Sequence, residues 1–80
     1  MTKEILIIDD NLDIRQLVSG ILIDQGFRVR EAANFDQAIL EINKKLPYVA
    51  IIDVKLDKGD NDGIELLEKL KKLIPRFLLL

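Results

Sequence analysis

The chain has 80 residues, 49% of them apolar, and a formal net charge of −2. That describes one small domain with a packed core rather than a disordered segment, and no basic stripe or block of like charge points to nucleic acid. With no Cys, no His, and only Thr2 and Ser19 as aliphatic hydroxyls, disulfides, thiolate nucleophiles, the usual nitrogen-and-sulfur zinc sites and a Ser-His-Asp triad are excluded.

Ile5-Leu-Ile-Ile8 is a β-branched run apolar on both pleat faces, as a buried parallel strand requires. It is also too short for a signal sequence or a membrane span, so a cytoplasmic location is expected. It runs straight into two adjacent carboxylates, Asp9 and Asp10. Ile14, Leu17, Val18, Ile21 and Leu22 then recur at helical spacing on one stripe, with Asn11 or Asp10 able to cap the start and Gly26 placed to stop it. Gly20 inside that helix is a mild cost.

Phe27 to Ala32 begins by alternating apolar and charged residues, the mark of a half-exposed edge strand. Asn34 opens a second helix, with Gln37 at capping-box spacing and Phe35, Ala38, Ile39 and Ile42 as the buried stripe; Leu46-Pro47 ends it. Tyr48 to Ile52 is a second fully apolar strand, and it too ends in a carboxylate, Asp53. Residues 55–63 read as a loop. Asp62 and Glu65 then open a third helix presenting Leu66, Leu67, Leu70, Leu73 and Ile74, and Pro75 stops it. Phe77 to Leu80 begins a fourth strand.

The alternation predicts an α/β fold: a parallel sheet with right-handed crossovers and helices on both faces. The half-polar second strand belongs at an edge, so the first and third lie side by side in the order 2-1-3. Their connections leave in opposite directions, and ligands bind at the carboxyl ends of strands at such a switch point.

Asp9, Asp10 and Asp53 all fall at that place. Three converging carboxylates repel one another unless they are protonated or a cation neutralises them, and hard oxygen donors suit Mg²⁺. A single acid would be read as a turn or cap residue; three are not. Dinucleotide binding lacks its glycine fingerprint. A calcium loop with Gly63 at its sixth position would need ligands at Lys58 and Lys69. A phosphatase of the haloacid-dehalogenase type needs an Asp where Lys55 stands. The remaining option makes Asp53 a nucleophile toward a metal-held phosphoryl group.

"ILIIDDN", "VAIIDVKL" and "DGIELLEKLK" together resemble, over nearly the whole chain, the receiver domain of bacterial two-component response regulators. The resemblance implies a flavodoxin-like, doubly wound sheet of order 2-1-3-4. Residues 1–80 would be a partial receiver, βαβαβα plus the start of strand 4, lacking strand 5 and the last two helices. It also implies that Asp53 takes a phosphoryl group from a sensor histidine kinase. Mg²⁺ would be held by Asp10, Asp53 and the backbone carbonyl of Lys55, with Asp9 acting through water. Such a chain is a phosphoacceptor, not a turnover enzyme, and binds neither nucleic acid nor membrane.

Two departures from the family stand out. Asp57 replaces the usual Pro, and Gly63 arrives two residues late, in a loop similar to that of NtrX-type nitrogen-response regulators. Asp57, Asp60 and Asp62 are expected to be solvated loop and cap residues. The family's Ser or Thr at the end of strand 4 and Lys at the end of strand 5 have no counterpart. Signal output is therefore expected to be impaired, with self-association through the exposed strand-4 edge. The alternative is a non-signalling remnant or interaction module that keeps the front half of the fold.

Overall fold

The computed structural model describes residues 3–53, 68–74 and 76–79. In chain order it contains β1 (Glu4–Ile8), α1 (Leu12–Asp24), β2 (Arg28–Ala32), α2 (Phe35–Lys44), β3 (Val49–Ile52) and β4 (Phe77–Leu79), with residues 68–73 also helical. The strands form one sheet in the order β2-β1-β3-β4, and every pairing is parallel. The expected order and the edge position of β2 therefore hold. The loop residues Lys55, Asp57, Asp60, Asp62 and Gly63, the cap residue Glu65, and Leu66 and Leu67 lie outside the described residues.

Register assigns each strand residue to a face. Leu6 pairs with Arg30 and Ala50, and Ile8 with Ala32 and Ile52; these positions point toward α2. With Phe35, Ala38 and Ile42 of α2, and with Leu70 and Ile74, the apolar residues of this set form one buried cluster. The α2 stripe falls where its spacing predicts. Of the third helical pattern, Leu70 and Ile74 are buried while Leu73 is exposed.

The opposite face is less complete and corrects an expectation. Ile5 and Ile7 are buried there, covered by α1. The helix, however, turns Arg15, Val18, Ser19 and Leu22 inward, all buried or half-buried. Ile14, Leu17 and Ile21, expected in its buried stripe, stand 44%, 66% and 55% exposed. The apolar arc of α1 is wider than one contact line, so only its Val18–Leu22 flank meets the sheet.

Helix ends follow local chemistry. The Asn11 side chain accepts from the Ile14 amide at 3.1 Å, and the Asn34 side chain from the Gln37 amide at 2.8 Å, each satisfying an orphan donor of the first turn. Gln37 reaches back to the Ala33 amide (2.8 Å) rather than to that of Asn34, which shifts the expected box by one residue. At the end of α1, Gly26 donates to the Ile23 carbonyl and Phe27 to that of Leu22, the paired bonds of a Schellman stop. Gly26 has φ +94°, a conformation that costs a side-chain-bearing residue and explains the glycine.

Two cationic contacts tie down the amino ends of the strands. Lys3 Nζ lies 4.5 Å and the Arg76 guanidinium 4.3 Å from the Tyr48 ring centroid. Arg30, on β2, is 2.6 Å from Glu4 Oε1, an ion pair poorly aligned for a hydrogen bond. It also donates to the carbonyls of Glu41 (2.7 Å) and Lys45 (2.6 Å), capping the end of α2.

Candidate metal centre

The acids sit where β1 and β3 run out. The Asp53 amide donates to the Ile8 carbonyl at 3.0 Å, and the Asp9 amide to that of Ala32 at 3.1 Å. Beyond these bonds the chain leaves the sheet, and the side chains of Asp9, Asp10 and Asp53 converge. One carboxylate oxygen from each lies within 4.8 Å of the others. Asp9 is buried, Asp53 half-buried and Asp10 exposed, so the cluster runs from the protein interior to solvent.

Asp9 is held through both its side chain and its backbone. Its Oδ1 accepts from the Asn11 amide at 2.9 Å, and its carbonyl accepts from Arg15 Nη1 at 2.6 Å. Arg15 Nε is in turn 2.9 Å from Glu31 Oε1 of β2. Arg15 gave no sign of this as a neighbour of the acids in the sequence; α1 brings it back over the end of β1. One signal was available. A cation in the first turn of a helix opposes the helix dipole, so it needs a partner elsewhere.

The donor set fits a small hard cation. Direct ligands on an octahedral Mg²⁺ sit about 2.9 to 4.2 Å apart, and the ion keeps part of its shell as water. Carboxylates spaced up to 4.8 Å apart can therefore combine direct with water-mediated contacts. Lys55, whose carbonyl was expected among the ligands, lies outside the described residues. Ser19 is buried on α1. Among the described residues, no helix is long and apolar enough to cross a membrane.

Comparison with known proteins agrees with this fold. The family model described as response regulator receiver domain matches residues 5–78. The nitrogen assimilation regulatory protein NtrX of Azorhizobium caulinodans is 41% identical over 75 residues, which are 94% of this chain and 16% of that protein. The solved receiver domain of NtrX from Brucella abortus superposes with a TM-score of 0.80 at 40% identity, covering 94% of this chain and 64% of that one. A response regulator from Burkholderia pseudomallei, solved with a phosphorylated aspartic acid, a calcium ion and citrate, gives 0.81 at 30% identity, covering 96% of this chain and 45% of that one. The chain thus spans a small part of its full-length NtrX relative and about two-thirds of a solved receiver domain. Strand order, the acids at the strand ends and these relatives converge, and the chain belongs to the response regulator receiver domain family of two-component systems.

Proposed function

We propose that this chain is a phosphoacceptor module of the NtrX type, in which Asp53 receives a phosphoryl group from the phosphohistidine of a sensor histidine kinase. One observation carries the reading: the oxygens of Asp9, Asp10 and Asp53 meet within 4.8 Å at the rim of the sheet. A carboxylate oxygen of Asp53 attacks phosphorus, the P–N bond of the donor breaks, and its electron pair stays on the imidazole. The product is an acyl phosphate on Asp53. Asp10 and Asp53, with the carbonyl of Lys55 as the family resemblance implies, would hold Mg²⁺, and Asp9 would act on it through water. When bound, the cation offsets charge on the transferred group. The backbone bond from Asp53 to Ile8 keeps the nucleophile at the strand end, and the buried Asp9 shapes the inner wall of the pocket. The module is an acceptor rather than a turnover enzyme, and works in the cytoplasm. The Burkholderia relative, solved with a phosphorylated aspartic acid, supports the assignment.

Incubation with Mg²⁺ and acetyl phosphate, followed by intact-mass measurement, tests the reading. We expect a single phosphate adduct that disappears in Asp53→Asn. A folded protein that acquires no adduct, or an adduct that survives the substitution, refutes it.

A second reading, an interaction module that does not pass on phosphorylation, draws on one specific feature. Ile14, Leu17 and Ile21 of α1 and Leu78 of β4 are exposed together with Phe77. Apolar surface of this kind marks contact sites, and self-association through the β4 edge is the contact it favours. Sedimentation of wild type against Leu78→Gln, on β4 itself, distinguishes the readings. A concentration-dependent dimer lost in the variant, without any adduct on Asp53, supports the second.

A further inference from the structure

We infer that Arg15 is a positioning residue for the acidic pocket, setting the geometry of Asp9 and thereby its preference for Mg²⁺ over larger cations. The inference rests on reading the pocket as a Mg²⁺ site. The Asp9 carbonyl lies past the last β1–β3 backbone bond, that from Asp53 to Ile8, and a carbonyl leaving the sheet at a buried residue needs a donor. Arg15 provides it at 2.6 Å. The same guanidinium holds Glu31 at 2.9 Å, with the Arg15 side chain only 13% exposed. One side chain therefore braces α1 to the ends of both β1 and β2. A guanidinium suits this task because its planar fork holds two acceptors at fixed angles, which an ammonium cannot do.

Asp9 is consequently held at its amide by Ala32, at its carbonyl by Arg15 and at Oδ1 by Asn11. That rigidity matters unequally to different cations. Mg²⁺ demands near-ideal octahedral geometry at short distances, whereas Ca²⁺ accepts longer and irregular shells. Loosening Asp9 should weaken Mg²⁺ more than Ca²⁺. Loss of the positive charge alone would act the other way, strengthening both. A general loss of structure would weaken both alike.

Calorimetric titration of the whole chain with Mg²⁺ and separately with Ca²⁺ decides the matter, in wild type, Arg15→Met and Arg15→Lys. We expect Arg15→Met to lose about tenfold in Mg²⁺ affinity, the scale of outer-shell substitutions at metal sites, and less than about threefold in Ca²⁺ affinity. Arg15→Lys, which reaches one acceptor but not both, should fall between. Equal losses for the two cations, no loss, or a gain overturns the inference. If Arg15→Met fails to fold by circular dichroism, Arg15→Lys decides, and a wild-type cation ratio there overturns it. Wild type binding neither cation would remove the Mg²⁺ reading and this inference together. Binding by wild type that Asp53→Asn weakens and Arg15→Met leaves unchanged would remove only the inference.

Discussion

The two faces of the sheet are built from similar amounts of apolar sequence and finished to different degrees. Toward α2, Leu6, Ile8, Ala50 and Ile52 meet Phe35, Ala38, Ile42, Leu70 and Ile74 in one buried cluster. Toward α1, Ile5 and Ile7 are covered, but Val49 and Ile51 are only half-buried, and Leu78 is 53% exposed. The difference lies in the helices. The apolar stripe of α2 is narrow and faces the sheet, whereas that of α1 is broad and turns half its width outward. The acids sit at the end of the shared central strands, where both faces contribute: Asp9 leans on Ala32 of the packed side and on Arg15 of the open side.

The sharpest way to break this comparison is to delete matching side chains from the two faces. Ile52→Ala on the packed side should cost about 2–5 kcal/mol in urea unfolding, while Leu17→Ala on the outer flank of α1 should stay within about 0.5 kcal/mol. Similar losses would show that the open face is covered in solution. Arg30→Met comes next. It removes the partner of Glu4 and the donor to the Glu41 and Lys45 carbonyls, at an expected cost of about 1–3 kcal/mol. A shift in midpoint smaller than that of a surface substitution would reduce the clasp to decoration.

Smaller effects test the helices themselves. Asn34→Ala takes the cap from α2 and should cost about 1 kcal/mol; no change in thermal midpoint would mean that packing alone holds that helix. Gly20→Ala has the opposite sign. A Cβ at Gly20 meets nothing within 4 Å, so alanine should stabilise α1 by up to about 1 kcal/mol, and a loss would reveal a contact on the open side. The smallest effect is in acid. The Glu41 carboxyl is held below its ordinary value of 4.5, first by its hydrogen bond with Lys44 and further by Arg30. Its stabilisation is therefore complete above pH 4.5 and fades as the pH falls through the lower folded-state value. Glu41→Gln should flatten the acid limb of the stability curve slightly, and an unchanged limb would contradict the assignment.

Much of this was legible beforehand, for identifiable reasons. Arg28 and Arg30 interrupting the second strand place it at the edge, because a central parallel strand cannot carry two cations. The doubled acid after Ile8 and the single acid after Ile52 mark the pocket, because strand ends at a switch point are where side chains converge. Two features were not legible. The apolar spacing of α1 fits more than one rotation of the helix, and only the packed structure selects Arg15, Val18, Ser19 and Leu22 for the sheet. Arg15 itself acts across a fold, through a backbone atom, and no local motif records that.

Tyr48 has a practical consequence. The chain contains no Trp and a single Tyr, and that ring is gripped by Lys3 and Arg76, which precede the first and fourth strands. Its ultraviolet emission is therefore an unlabelled optical gauge of whether β4 has docked. The gauge sits at the pole of the molecule opposite the acids, where added cations or phosphodonors leave the chromophore itself untouched.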